Sequence, residues 1–219
     1  MRVCLAGKEK IGDFAYKEDC DLIVFSFRGL SSVVSYEKEI GGETNYMEEI
    51  AVLSKGKKIV VCGGETDTLG VKRKSVIVAQ NGKILGICDM LHSTKERDSA
   101  GTGMGIFDTE LGRVGVIVGE DLYFPEVIST LSLCACAFVV CPFFGEYSDV
   151  EISLIRAYSF LYGLPILFCG GGYSSIADGG EILCMTPRSP IYYSLEIRRE
   201  YCLVETRKPF RKEGKDKGF

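Results

Sequence analysis

Histidine is almost absent from this chain: His92 is the only one, so no histidine-bearing metal cluster can be assembled. Cysteine is plentiful, at ten residues, but no C-x-x-C spacing occurs, and most cysteines lie in apolar runs such as VCLAG, VVCGG, ILFCG and ILCMT. That placement reads as buried, reduced thiols packing as small hydrophobes, and it argues against a disulfide framework. Basic charge is not in surplus either. Lys and Arg total 26 against 30 acidic residues, a net charge of −4, which lacks the electrostatic footprint of a duplex-binding protein. The longest apolar run, residues 133–140 extended to Phe144, contains Pro142 and is too short to span a bilayer. Residues 1–7 lack the basic start and long apolar centre of a secretory signal. The expectation is a soluble cytoplasmic protein with no metal, no cofactor and no nucleic-acid or membrane partner.

What is present suits one α/β domain. The 219 residues are 46% hydrophobic, enough for a buried core. Residues 1–206 read as that domain, and residues 207–219 as a basic tail. The tail carries Arg207, Lys208, Arg211, Lys212, Lys215 and Lys217 beside Glu213 and Asp216, the composition of a solvated terminus. Short apolar runs at 1–7, 21–27 and 58–62 predict buried strands. Residues 43–55 predict a helix, with Tyr46, Met47, Ile50 and Leu53 on one face and Gly56 at its exit. Asn81-Gly82 between apolar runs over 75–87 predicts a tight hairpin, and 104–107 with 113–118 predicts a second, turned through 108–112. Ser148 to Glu151 has capping-box spacing and opens a helix through Tyr162, closed by Gly163. Strands are predicted at 137–141, 164–169, 174–177, 182–186, 191–197 and 201–206, with tight turns at 170–172 and 178–180.

The segment from Arg113 to Pro142 is the most specific. An apolar strand leads into Gly119-Glu120-Asp121, then Phe124-Pro125-Glu126 opens a helix, and a second apolar strand ends at Pro142. Proline suits the first helical turn, and Glu126 complements the helix N-terminus. This block resembles the signature of the nitrilase, or carbon–nitrogen hydrolase, superfamily, in Asp121, Phe124, Pro125, Glu126, Leu131 and Pro142. The order of elements is similar along nearly the whole chain, including Arg156-Ala157, Ser175 and Asp178-Gly179-Gly180 towards the C-terminus. The resemblance implies an α/β four-layer αββα sandwich, usually paired into dimers by its outer helices. The N-terminal region is shortened, with about a dozen residues between the first two strands where the family places a helix.

The family works on carbon–nitrogen bonds through a Glu–Lys–Cys triad: a base for the thiol, a cation for the oxyanion and a nucleophile. Carried over by position, the Glu falls on Phe27, the Lys on Met90 and the Cys on Gly119. A phenyl ring accepts no proton, a thioether is no cation, and glycine has no nucleophile. Loss of a nucleophile alone costs on the order of 10⁶ in rate in a comparable catalytic unit. The expectation is therefore a catalytically inactive member acting as a small-molecule-binding or assembly protein. Its ligand would be a small amide or acyl compound, and its partner a second copy or a related subunit. The alternative is an active amidase with a displaced nucleophile, for which Cys88 is the candidate. His92, as a base, and Glu96, as a second acid, are weaker candidates. Glu120 and Asp121 either bind a ligand's polar group or orient the turn through backbone hydrogen bonds.

Overall fold

The computed structural model describes residues 1–15, 19–56, 58–92, 99–145 and 148–197. Two sheets lie face to face. The first is centred on three parallel strands, β1 (Arg2–Ala6), β2 (Leu22–Phe25) and β4 (Ile59–Thr68), with β3 (Val34–Ser35) paired to the far end of β4. Antiparallel β5 (Val71–Gln80) and β6 (Lys83–Asp89) extend it on one side, and β13 (Ile191–Ser194) closes the other against β1. The second sheet has the same plan. Parallel β8 (Gly112–Val116), β9 (Phe138–Phe143) and β10 (Ile166–Gly170) are flanked by β7 (Gly105–Thr109) and by β11 (Ser174–Asp178) and β12 (Glu181–Thr186).

The central strands read as unbroken apolar runs because both of their faces are buried. Val3, Leu5, Val24, Val61, Val76 and Val78 of the first sheet meet Val114, Val116, Phe138, Val140 and Leu167 of the second in an inner core. On the outer face of the first sheet, Ile23, Phe25, Val60 and Ile77 pack against Ile50 of α2 (Tyr46–Leu53). On the outer face of the second, Val139, Cys141, Ile166 and Phe168 pack against α3 (Pro125–Leu133) and α4 (Asp149–Tyr162). The layers therefore run helix, sheet, sheet, helix, as expected. Between β1 and β2 the described residues hold only a 3-10 turn at Ile11–Asp13, so the N-terminal shortening is real. A short helix, α1 (Tyr36–Gly41), with no buried residue, precedes α2.

Several boundaries differ from expectation. The strand at 58–62 continues to Thr68, and β4 pairs with β5 from Ile59 opposite Gln80 to Thr68 opposite Val71. Gly63 and Gly64 disguise this strand, yet the packing needs them: a Cβ at Gly63 would lie 2.7 Å from the Phe27 ring, and one at Gly64 2.4 Å from Leu30. The helix at 43–55 contracts to α2, and the strand at 191–197 stops at Ser194. The turn at 108–112 tightens to two residues, with Thr109 opposite Gly112. Only half of the capping box forms. The Ser148 hydroxyl accepts from the Val150 N–H, while Glu151 instead accepts from the Tyr123 hydroxyl at 2.5 Å. The strand at 201–206 and the basic tail at 207–219 lie outside the described residues. Among the described residues, no helix is long and apolar enough to cross a membrane.

The β4–β5 turn has a local flaw. Leu69 takes φ 53°, and 77% of it is exposed, so it gains no burial in return for a left-handed backbone. Asn81 at φ 54° is the better choice in the next hairpin. Leu69→Asn is expected to raise unfolding stability by about 1 kcal/mol, read as a shift in the urea midpoint at unchanged m-value.

Candidate functional site at the strand ends

The carboxyl ends of the parallel strands of both sheets meet at one end of the sandwich. After β8 the chain turns sharply through a 3-10 turn, Gly119–Tyr123, and continues into α3 with Pro125 in its first turn. Gly119 is buried and has φ +53°, in the left-handed region that favours glycine. A Cβ built there would lie 2.5 Å from Cε1 of Phe144, the residue following β9. The space that a side chain at 119 would need is thus filled by a ring. That ring meets Phe27 edge-on, with centroids 5.2 Å apart at 80°, and stacks on Phe143 at 5.5 Å. Phe27 in turn covers Gly63, whose absent Cβ would also touch Pro142 at 3.0 Å. Phe27 and Gly119 are therefore brought together through Phe144.

Met90 belongs to the same inner cluster, 2% exposed, with Phe27 packed against that cluster. Its N–H donates to the Lys74 carbonyl at 2.8 Å, continuing the β5–β6 ladder one rung beyond Ser75 opposite Asp89. Lys74 is the residue that sequence reasoning missed. It is 8% exposed, and its Nζ stands 3.8 Å from the centroid of the Phe144 ring. The signal was available: Lys74, Val76 and Val78 alternate along β5, and both valines face the inner core. A cation against an aromatic face at this depth is an attractive contact. The site thus holds one buried cation, two partly exposed phenyl rings and a bare glycine turn.

Asp121 holds the turn. Only 2% exposed, its carboxylate accepts from the Leu91 and His92 N–H groups, both at 2.8 Å, and lies 2.9 Å from His92 Nδ1. It ties the chain after Met90 to the turn after Gly119. Burial pushes its carboxyl above the ordinary value, and the hydrogen bonds from Leu91 and His92 act against that. The His92 ring stacks on Phe124 at 3.8 Å, and its Nε2 is 3.9 Å from Glu126 Oε1. Glu120, half-buried, sits in the same turn. Cys88 is 6% exposed, its thiol donating to the Val76 carbonyl at 3.6 Å, and burial raises it well away from the thiolate form. Glu96 lies outside the described residues. The turn at 170–172 is crossed by Arg28, whose Nε would be 2.5 Å from a Cβ at Gly171.

Among the described residues, the arrangement presents no thiolate at the turn, and the Phe144 ring leaves no room for a side chain at residue 119. Asp121→Ala would leave two backbone donors unsatisfied. The expected cost is roughly 2–4 kcal/mol of stability, with faster amide hydrogen exchange at Leu91 and His92 in native conditions.

No protein-family model matches the sequence, and no curated protein matches it either. Solved structures do. Nit3 of Saccharomyces cerevisiae, a member of branch 10 of the nitrilase superfamily, aligns with TM-score 0.76 at 16% identity, over 100% of this chain and 97% of that one. A carbon–nitrogen hydrolase from Helicobacter pylori G27 aligns with TM-score 0.70 at 12% identity, over 88% of this chain and 87% of that one. An amidase from Nesterenkonia sp. aligns with TM-score 0.67 at 14% identity, over 88% of each. The two sheets, their strand order and the helices outside them give this chain the fold of the nitrilase superfamily.

Proposed function

We propose that this chain is a carbon–nitrogen hydrolase superfamily protein that no longer hydrolyses by the family mechanism and uses its strand-end site to bind a small acyl or amide-like ligand. One observation carries this reading above all. At the position of the nucleophile the backbone is left-handed, and the Phe144 ring occupies the side-chain space. Phe27 and Met90, at the positions of base and cation, are apolar and pack into the same end of the inner core. A base and an oxyanion donor have to stand within hydrogen-bond reach of the reacting atoms. Phe27 and Met90 supply neither, and the cation that does reach the Phe144 ring, Lys74, comes from β5.

The competing reading, an active amidase using Cys88, is disfavoured by burial and by the raised thiol. Reactive cysteines sit in partly exposed, electropositive surroundings that lower the pKa. We place the protein in a reducing compartment, the cytoplasm, because its described cysteines are free and mostly buried. Residues 1–206 form the single domain in this reading. Pairing, with a second copy or a related subunit, would use the outer helices, where Leu133, Val150 and Phe160 are exposed.

The test is direct. Purified protein incubated with short aliphatic amides should release no ammonia above a heat-denatured control. Iodoacetamide at neutral pH, followed by peptide mass mapping, should label partly exposed Cys134 and Cys184 before Cys88. Rapid selective labelling of Cys88, with ammonia release abolished by Cys88→Ser, would overturn the proposal.

A further inference from the structure

Two cysteines from neighbouring stretches of chain meet in the outer cluster of the first sheet. We propose that Cys4 and Cys20 form a dithiol that hydroperoxides oxidise to a reversible disulfide, tying β1 to the entry of β2.

Cys4 lies within β1, and Cys20 stands two residues before β2. Both belong to the outer cluster that includes Ile23, Phe25 and Ile50. Their side chains are hydrogen-bonded to each other. The chain is fastened on both sides of Cys20. Asp21 donates its N–H to the Arg2 carbonyl at 2.9 Å and accepts from the Arg2 N–H at 2.7 Å, clamping the chain after Cys20 to β1. Before Cys20, Asp19 pairs at 3.1 Å with Lys58, the residue preceding β4. Adjacent strands lie about 4.8 Å apart, so thiols that meet on one face of neighbouring chains are within the span of a disulfide.

The two thiols are chemically unequal. The hydrogen bond from Cys4 holds the Cys20 thiol below its ordinary value; burial opposes this, and the Lys58 ammonium supports it. Cys4 is held above its ordinary value by the same bond and by burial, while Tyr192, opposite Cys4 in the β1–β13 register, acts to lower it. Burial raises Cys62, Cys88, Cys141 and Cys169. Cys20 is thus the thiol placed to react, and it lies between exposed Asp19 and exposed Asp21. Its thiolate attacks one oxygen of hydrogen peroxide. An S–O bond forms, the O–O bond breaks, and the departing hydroxide takes up the Cys20 proton as water. The Cys4 sulfur then attacks the Cys20 sulfur. An S–S bond forms, the S–O bond breaks, and the second hydroxide leaves as water with the Cys4 proton. The two thiols give up two electrons, and the peroxide accepts them.

The test treats the full-length chain, reduced and then freed of reductant, with equimolar hydrogen peroxide at neutral pH. Free thiols are then blocked with N-ethylmaleimide, and non-reducing peptide mass mapping locates the oxidised cysteines. The expected product is a Cys4–Cys20 cross-link that dithiothreitol reverses. It should form at least roughly tenfold faster than half-buried Cys134 or Cys184 is oxidised. In Cys4→Ala, Cys20 should stop at the sulfenic acid and be trapped by dimedone. In Cys20→Ala, Cys4 should stay reduced. The wild-type cross-link decides the pairing even where a variant fails to fold. No cross-link in wild type, a cross-link between other cysteines, or oxidation of Cys134 or Cys184 ahead of Cys20 would overturn the proposal. Untrapped Cys20 in folded Cys4→Ala would also overturn it, as would oxidised Cys4 in folded Cys20→Ala.

Discussion

The two sheets are held together by one apolar layer, and the character of the strand-end site follows from how that layer is finished. Valine, leucine and isoleucine fill the space between the sheets along the length of the strands. At the carboxyl ends the filling passes to aromatic rings, with Phe27 from the first sheet and Phe144 from the second meeting edge-on. Glycines at 63 and 119 admit those rings, since a Cβ at either would collide with one. Interiors pack as densely as organic crystals. At this end of the sandwich Phe27 and Phe144 are therefore packed as densely as the core.

Much of this was legible in the residues. Alternating apolar strands and helices implied mixed sheets with helices outside, and the family resemblance implied the four layers. Asn81-Gly82 specified its hairpin because both residues tolerate a positive φ, and Pro125 marked the start of α3. What was hidden had physical causes. Gly63 and Gly64 lower strand propensity, so the far half of β4 looked like loop. Its pairing partner, β5, and the ring contacts that require glycine are both non-local. The short α1 has no buried residue to mark a periodic face. Lys74 is inconspicuous in the sequence because lysine is seldom fully buried, although its alternation with Val76 and Val78 places it on the inner face.

The candidate site was legible in identity but not in arrangement. Phe27, Met90 and Gly119 could be named from the sequence as candidate site residues, on the resemblance alone. That Phe144 would be the element joining two of them depends on β9 lying beside β8, a contact no local pattern encodes. Asp121 shows the same division. Its presence beside Gly119 was evident, but its role in fastening Leu91 and His92 to the turn appears only in three dimensions. The turn that carries Gly119 is anchored by Asp121.

The proposed function rests on the Phe144 ring filling the side-chain space at Gly119, and a double-mutant cycle measures that contact most directly. Unfolding free energies of wild type, Gly119→Ala, Phe144→Ala and the double variant give the coupling between the two positions. The account predicts that Phe144→Ala relieves the overpacking part of the Gly119→Ala penalty, with a coupling of about 1–3 kcal/mol, while the cost of a left-handed alanine remains. Additive free energies, within about 0.5 kcal/mol, would contradict it, because residue 119 would then face open space in which a nucleophile could still be housed.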